Sequence, residues 1–452
     1  MDFVPLVPGS VSLYVCGPTV QSAPHVGHLR SALVYDLWAR WFRYRGLDVT
    51  LIRNVTDIDD KILEKALETG EQWWALAERV ETEFHTATAA LNVLPPTREP
   101  RATGDIPAMV EMITQLIESN HAYVAKDGSG DVYFDVSQWP RYGELTNQSV
   151  ENLQQGEGGN SAKKNPEDFA LWKGHKSHEP ATAAWPAPWG AGRPGWHIEC
   201  SAMSTRYLGS HFDIHGGGVD LRFPHHENEL AQSLAAGHEY ANYWLHNALV
   251  VVNGQKMSKS LGNSVLASDL LAGARPIVVR FALASAHYRS ELDIHEGFIT
   301  EAHAAFSRIE GFLNRGAQAG LDLAPGVVPD AFATAMDDDL SIPSALAVLH
   351  DGVRLGNQAL DSEERDQAQL HLSEVRAMVA VLGVDPLGPK WSEGNANSDE
   401  ALGAVVDSMI SLRWQAKAEK NFALSDSLRD ALDAAGIDVN DGPSGSTWSL
   451  RG

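Results

Sequence analysis

The sequence predicts an α/β domain built on a parallel sheet, interrupted by an insertion and followed by an all-helical region and a small C-terminal domain. Three observations support this fold class. Strand and helix patterns alternate near the amino end, the alternation stops at residue 138 and resumes after 196, and apolar residues recur with the helical period from Leu266 onward. A strand–helix–strand order favours a right-handed crossover between parallel strands.

The individual elements follow from apolar periodicity and from the residues that end each run. The pattern predicts strands at 11–16, 47–53, 132–136, 212–215 and 248–252, and helices at 28–45, 57–67, 72–91 and 106–120. Gly46 and Gly70 end two of these helices, because glycine readily adopts the left-handed conformation that closes a helix.

Changes in composition divide the chain into segments. Residues 138–196 are rich in Gly, Pro, Trp and polar residues and are interpreted as an insertion with an exposed, mobile loop. A later stretch rich in Pro, Gly and Asn is typical of a linker. The predicted segments are 1–137, the first half of the α/β domain; 138–196, a connective insertion; 197–265, the second half; 266–384, a helical stem and bundle; 385–398, a linker; and 399–452, the C-terminal domain.

Composition and charge restrict the class of protein. The net charge of −24 opposes nonspecific binding to nucleic acid, so any RNA contact must be local and sensitive to salt. No apolar run approaches the ~20 residues of a membrane helix, and the amino end lacks a basic segment followed by an apolar one. Two cysteines cannot form a disulfide framework. These features predict a cytoplasmic protein.

Two cysteines, a histidine and a glutamate form a candidate metal site. Cys16 ends the first predicted strand, and His225 and Glu229 are four residues apart in a predicted helix, so they share one face. Together with Cys200 they offer thiolate, imidazole and carboxylate groups, which are usual ligands of zinc. The alternative is a pair of unrelated buried thiols and a surface His/Glu pair. The three glycines at 216–218 either allow a close backbone approach or form a flexible turn.

Two further motifs are suited to binding phosphate. His25 and His28 open a predicted helix, whose amino end attracts anions, and Gly27 between them allows a flat ring to pack on the backbone. The alternative is that the two histidines only cap the helix. Lys256 and Lys259 lie on a glycine-bounded loop that fits a phosphate clamp, or they belong to a solvated basic loop.

These motifs together resemble a known family. Segments 25–28 (His-Val-Gly-His) and 256–260 (Lys-Met-Ser-Lys-Ser) are similar to the His-Ile-Gly-His and Lys-Met-Ser-Lys-Ser signatures of class I aminoacyl-tRNA synthetases. With segments 14–19, 53–61, 195–203 and 223–229, the chain resembles the cysteinyl-tRNA synthetase family over roughly its full length. The resemblance implies that the α/β domain is a Rossmann-like catalytic domain.

The resemblance also implies a role for individual residues. His226 is less suited than His225 as a ligand because it falls off the helix face that His225 shares with Glu229. The resemblance implies one zinc per chain on Cys16, Cys200, His225 and Glu229; an amino-acid pocket with Thr56, Trp196 and His215; ATP contacts from His25, Gly27, His28, Lys256 and Lys259; and an anticodon-binding domain with Arg413, Lys417, Asp426, Arg429, Asp441 and Trp448.

The activity that the resemblance implies is cysteine–tRNA ligation by a monomer. L-Cysteine and ATP, accompanied by magnesium, would form cysteinyl-adenylate, and the cysteinyl group would move to the 3′ end of tRNA(Cys). One alternative is the related ligase that joins cysteine to an amino sugar in mycothiol synthesis, which should lack the C-terminal domain. A second is a non-catalytic zinc- and RNA-binding paralogue, which the intact His25, His28, Lys256 and Lys259 disfavour.

Overall fold

A computed structural model of the protein describes residues 3–147, 162–257, 262–392, 396–442 and 445–450. The chain forms two compact units, Met1–Val384 and Asp385–Gly452. The strands are β1 Ser10–Val15, β2 Asp48–Arg53, β3 Ala122–Val124, β4 Val132–Phe134, β5 Phe169–Gly174, β6 Gly192–Pro194, β7 His211–Gly218, β8 Tyr240–Asn247, β9 Val250–Val252, β10 Gln255–Lys256, β11 Leu292–Ile294, β12 Ile437–Gly442 and β13 Gly445–Leu450.

The described residues form fifteen α-helices. They are α1 Val26–Tyr44, α2 Asp60–Thr69, α3 Trp73–Ala90, α4 Ile106–Glu118, α5 Trp196–Leu208, α6 Glu227–Ala235, α7 Ala267–Gly273, α8 Pro276–Ala284, α9 Phe298–Gln318, α10 Asp330–Asp337, α11 Ile342–Asp361, α12 Arg365–Val381, α13 Pro389–Ser392, α14 Ala396–Ala418 and α15 Phe422–Ala434. In the described parts of the chain, none of these helices is long and apolar enough to cross a membrane.

A four-stranded parallel sheet in the order β2-β1-β7-β8 confirms the predicted fold class. The connection through α1 leads from β1 outward to β2, and the connection through α6 leads from β7 outward to β8. The strand order therefore reverses between β1 and β7, which is where open α/β sheets bind ligands at their carboxyl ends. The backbone N–H of Cys16 donates to the carbonyl of Gly216 at 3.0 Å and holds these two strand ends together.

The helix that begins at Asp60 starts later than the predicted residue 57. The carboxylate of Asp59 accepts a hydrogen bond from the N–H of Lys61 at 2.9 Å and caps the helix. Asp57 is instead turned toward Thr103, whose backbone N–H and hydroxyl both donate to it. The predicted end of this helix is confirmed, since Gly70 has a φ of 72° and closes it.

A separate antiparallel sheet in the order β3-β4-β5-β6 takes only its last two strands, β5 and β6, from the predicted insertion. The first two strands lie before residue 138, so the predicted boundary at 137/138 cuts through this sheet. Strand β4 pairs with β5, more than thirty residues later, and such distant pairing leaves no local signal in the sequence. Most of the glycine-rich part of the predicted mobile loop lies outside the described residues.

The region from Leu266 to Val384 is mainly helical, as predicted, except for strand β11, which pairs in parallel with β9. In the second unit, α14 and α15 are followed by the antiparallel hairpin of β12 and β13. Val406, Ile410 and Leu432 form a small apolar core there. Helix α13 and the first residues of α14 fall within the predicted linker 385–398.

Candidate active site and metal centre

A cavity of about 460 Å³ lies at the carboxyl ends of the parallel strands. Its wall includes Cys16, Asn54, Gly218 and Asn247, which end or directly follow the four strands. Of the predicted metal, amino-acid and ATP residues, nine line the same cavity: Cys16, Cys200, His225, Thr56, Trp196, His25, Gly27, His28 and Lys256. The fold therefore brings the predicted metal, amino-acid and ATP groups around one space.

The four candidate metal ligands lie together at one side of this cavity. Cys16 follows β1, Cys200 lies on α5, His225 precedes α6 and Glu229 lies on α6, and their donor atoms all fall within 4.8 Å of one another. The two Sγ atoms are 3.7 Å apart, Sγ of Cys16 is 3.4 Å from Oε1 of Glu229, and Nε2 of His225 is 3.1 Å from the same oxygen. This cluster could hold one metal ion.

Burial raises the pKa of both thiols, and the neighbouring Cys200 and Glu229 raise that of Cys16 further. In such an environment the thiols hold their protons unless a cation is present. A coordinating cation reverses this preference, because a metal-bound thiol is deprotonated. The donor set is thus suited to a cation and poorly suited to standing alone as two thiolates beside a carboxylate.

The two oxygens of Glu229 have separate partners. Oε1 faces Cys16 and His225, whereas Oε2 is held by Nε2 of His215 at 2.8 Å and by the hydroxyl of Tyr240 at 2.9 Å. Burial alone raises the pKa of Glu229, but the nearby His215 and His225 and the hydrogen bonds from His215 and Tyr240 outweigh burial and lower it. The carboxylate is therefore ionised and oriented with one oxygen toward the other three candidate ligands.

His225 is oriented in a similar way by a residue that sequence reasoning missed. Its Nδ1 lies 2.9 Å from Nδ1 of His197, and both rings are buried. If His197 accepts this hydrogen bond, Nδ1 of His225 carries the proton and its Nε2 is free to bind metal, a pairing that commonly orients metal-binding histidines. His197 and Cys200 are three apart on α5, so helical spacing offered a signal for it.

A second set of donors also lies within 4.8 Å: Cys16, His215, His226 and Glu229. It contains one thiolate instead of two. Its histidines are held in the same way as His225, since Nε2 of His215 contacts Glu229 and Nδ1 of His226 lies 2.8 Å from Nε2 of His246, so the number of sulfurs is what distinguishes the two sets. The first set therefore offers the stronger site for a metal that favours sulfur.

Two of the three residues predicted for the amino-acid pocket line the cavity, and the third does not. The Trp196 ring lines the cavity and packs on His225 with ring centroids 4.1 Å apart. Thr56 also lines it, and its hydroxyl donates to Oε2 of the buried Glu199 at 2.9 Å. His215 is fully buried behind Glu229, so its contacts orient a candidate ligand.

The two histidines at the start of α1 act both as helix caps and as part of the cavity wall. Nδ1 of His25 accepts from the N–H of Gly27, and Nδ1 of His28 accepts from the N–H of His25, each at 3.1 Å. A side chain at Gly27 would place its Cβ 2.9 Å from the His25 ring, so the stacked arrangement requires glycine.

The protonation of this pair follows from the same contacts. Burial lowers the pKa of both rings, and for His28 burial and the nearby His25 lower it to about 3. Each neutral ring uses Nδ1 as an acceptor, so its proton is on Nε2. The pair therefore presents N–H donors, without positive charge, at an anion-attracting helix end.

The lysine loop is described only in part. Lys256 is exposed on β10 and lines the cavity, and the side chain of Met257 lies 3.6 Å from the Cβ position of Gly27. Lys259 lies outside the described residues. The geometry thus places one of the two predicted lysines beside the histidine pair.

The candidate tRNA contacts of the second unit differ in exposure. Asp426 and Arg429 are exposed and Lys417 is half-buried, with its ammonium 5.2 Å from the Trp414 ring, whereas Arg413 is buried. The indole of Trp448 donates to Asp407 at 3.1 Å and packs beside the apolar core. The side chain of Asp441 lies outside the described residues.

Substitution of His215 tests whether a residue that orients Glu229, without binding the metal itself, contributes to metal affinity. Replacing it with asparagine should weaken metal affinity by about 10- to 100-fold, the usual cost of losing a group that orients a ligand. Competition with a chromophoric chelator measures this change, and His211→Asn, at the start of the same strand, is the matched control. Equal affinities in the two variants would show that Glu229 needs no support.

Comparison with known proteins defines first the class and then the family. The sequence model described as tRNA synthetases class I (C) catalytic domain matches residues 2–304, and the DALR domain matches residues 331–385. Solved structures share the fold. A Mycobacterium tuberculosis methionyl-tRNA synthetase with methionyl-adenylate superposes with a TM-score of 0.60 at 16% identity, over 84% of this chain and 90% of that one. The LeuRS of Agrobacterium radiobacter K84, in a ternary complex with tRNA and LeuAMS, gives 0.61 at 12% identity, over 87% and 85%.

Closer relatives carry the name cysteine–tRNA ligase. Those of Clavibacter sepedonicus and Leifsonia xyli subsp. xyli are 60% and 58% identical, each over 100% of this chain and 97% of the relative. That of Streptomyces avermitilis is 53% identical over 99% of this chain and 96% of the relative. The chain belongs to the cysteinyl-tRNA synthetase family of class I, which confirms the resemblance seen in its motifs.

Proposed function

We propose that the protein is a cysteine–tRNA ligase that forms cysteinyl-adenylate from L-cysteine and ATP and transfers the cysteinyl group to the 3′ end of tRNA(Cys). One observation supports this most strongly. Cys16, Cys200 and His225, three members of a buried donor set, line the same cavity as the histidine pair at the start of α1. A group that selects sulfur and a group that binds phosphates therefore face one reaction space.

Zinc is the metal that best fits the donor set. Two sulfurs at the usual Zn–S distance of about 2.3 Å in a tetrahedral site lie roughly 3.8 Å apart, and sulfur and oxygen ligands roughly 3.6 Å apart. The corresponding distances here are 3.7 Å between Cys16 and Cys200 and 3.4 Å from Cys16 to Glu229. When bound, zinc would supply a position that prefers the substrate sulfur to a hydroxyl oxygen.

The chain's own residues position the two substrates for activation. Trp196 and Thr56 form the wall at the amino-acid end of the cavity. The Nε2–H groups of His25 and His28 donate to ATP phosphate oxygens at the start of α1. A cysteine carboxylate oxygen then attacks the α-phosphorus, and the bond to pyrophosphate breaks. Magnesium accompanies ATP and Lys256 adds positive charge, so catalysis consists mainly of positioning and charge stabilisation.

In the second step, a hydroxyl of the terminal tRNA ribose attacks the carbonyl carbon of cysteinyl-adenylate, and AMP leaves. The test is cysteine-dependent charging of total tRNA, with an amino sugar present as a competing acceptor. Charging of tRNA(Cys) with the amino sugar unmodified is the expected result. Acylation of the sugar in preference to tRNA would instead favour the ligase of mycothiol synthesis, and inactivity toward both would favour the non-catalytic alternative.

Truncation tests the role of the second unit. A chain ending at Val384, the boundary between the two compact units, should still support cysteine-dependent pyrophosphate exchange because the cavity lies wholly in the first unit. Its kcat/KM for tRNA charging should fall at least about tenfold, which corresponds to the loss of one stacked base. Charging at the full rate by the truncated chain would show that the second unit does not contact the tRNA.

A further inference from the structure

A second cavity of about 410 Å³ lies next to the first. Its wall includes Arg222, Arg289, His246 and Trp244, and Ala248 lines both cavities. His246 lies near the carboxyl end of β8, and Ala248 directly follows that strand. The second cavity therefore adjoins the reaction space at one shared wall residue.

The cavity is locally basic in a chain whose net charge is −24. Nη2 of Arg222 donates to the carbonyl of Leu145 at 3.1 Å, and no carboxylate of the described residues forms an ion pair with Arg222. Arg289 is partly neutralised by Asp339, whose carboxylate accepts from it at 2.6 Å. Burial, His215 and both arginines lower the pKa of His246 to about 4, so His246 is neutral. The positive charge of the cavity wall therefore comes mainly from Arg222.

An aromatic ring lines the same cavity as Arg222. The Trp244 ring is half-buried and stacks on His215, with ring centroids 4.6 Å apart and planes inclined by 17°. This stack fixes the orientation of the indole. A fixed aromatic ring beside a guanidinium is the combination that binds single-stranded nucleic acid, because the ring stacks on a base while the charge contacts the backbone phosphate.

We propose that this cavity binds the nucleotide that precedes the terminal adenosine of the tRNA, with its base against Trp244 and its phosphate on Arg222. This inference rests on the proposed function. During transfer, the terminal ribose must reach the first cavity, and the preceding nucleotide, attached to it covalently, must lie just outside. The neighbouring cavity that shares Ala248 has the charge and the aromatic surface that this nucleotide requires.

The first arm of the test uses Arg222→Ala in the full-length protein and measures single-turnover transfer from preformed cysteinyl-adenylate to tRNA(Cys). The transfer efficiency should fall at least about tenfold, and the slope of its logarithm against the logarithm of salt concentration should become shallower by about 0.7, the contribution of one single-strand phosphate contact. Arg222→Lys should restore the slope because it restores the charge. Arg79→Ala is the matched control, since Arg79 is an exposed arginine paired with Glu71 and Glu83 and lines neither cavity.

The second arm measures binding, using intact tRNA(Cys) and the same tRNA shortened by its last three nucleotides. The unchanged protein should bind the intact form about tenfold more tightly, and Arg222→Ala should bind the two forms alike. Equal loss of affinity for both forms would place the Arg222 contact elsewhere on the RNA and overturn the proposal, as would transfer at the unchanged rate. Failure of the unchanged protein to charge any tRNA with cysteine would instead refute the proposed function.

Discussion

Replacing Cys200 with serine is expected to abolish stoichiometric metal binding and to lower cysteine activation by at least about 100-fold. Loss of a group that merely orients a ligand already weakens metal binding by about 10- to 100-fold, and loss of a ligand should weaken it more. A serine hydroxyl is close in size to the thiol but cannot replace a soft thiolate. Elemental analysis measures the metal, and ATP–pyrophosphate exchange measures activation.

The control for this substitution is Met203→Leu, a volume-conserving change at a buried position on the same helix. It should retain one zinc per chain and near-normal exchange. Cys16→Ser should behave like Cys200→Ser because both thiols belong to one donor set. Full zinc content in both serine variants would show that the metal does not bind here.

The chemistry of the metal cluster could be predicted from residue types, but its assembly could not. Helical spacing placed His225 and Glu229 on one face, the thiols of Cys16 and Cys200 completed a usual set of zinc ligands, and the family resemblance then implied the same four residues. The contact between the two cysteines depends on the pairing of β1 with β7, about two hundred residues apart in the chain. No local pattern encodes such a pairing.

The groups that orient the ligands were harder to predict than the ligands. Tyr240 contacts Glu229 only because β8 lies beside β7 and α6 packs against β8. Its φ of 65° at the start of β8 is unusual for tyrosine and has no signature in the sequence. His197 was closer to prediction, since it shares a helix face with Cys200.

The histidine pair fulfils both alternatives that the sequence left open, whereas the glycines at 216–218 lie in β7 and fulfil only one of theirs. His25 and His28 cap α1 through Nδ1 and still line the cavity. The close approach predicted for the glycines at 216–218 is present, because a Cβ at Gly216 would lie 2.3 Å from the Tyr35 ring and one at Gly217 would lie 2.9 Å from the His226 ring. Sequence indicated tight packing but could not name the partner.

Rejection of serine is the second large effect that the site predicts. Cysteine and serine differ in one atom, and an apolar pocket rejects an isostere that carries a hydroxyl by only about 10²-fold. A free cysteine thiol has a pKa of about 8.5 and loses its proton on binding a metal, whereas the serine hydroxyl is far harder to ionise. Of the candidate ligands, the Glu229 carboxylate is the weakest partner for a metal that favours sulfur, so we expect it to yield most easily to a substrate sulfur.

The ratio of kcat/KM for cysteine and serine in ATP–pyrophosphate exchange, measured with full zinc occupancy and again after removal by a chelator, tests this account most directly. With zinc bound, the ratio should exceed roughly 10³, beyond what shape alone provides. Removal of zinc should abolish cysteine activation, and restoring zinc should recover both the rate and the ratio. A ratio near 10² with zinc in place, or cysteine activation that survives complete removal of the metal, would contradict selection by a thiolate-binding metal at Cys16, Cys200, His225 and Glu229.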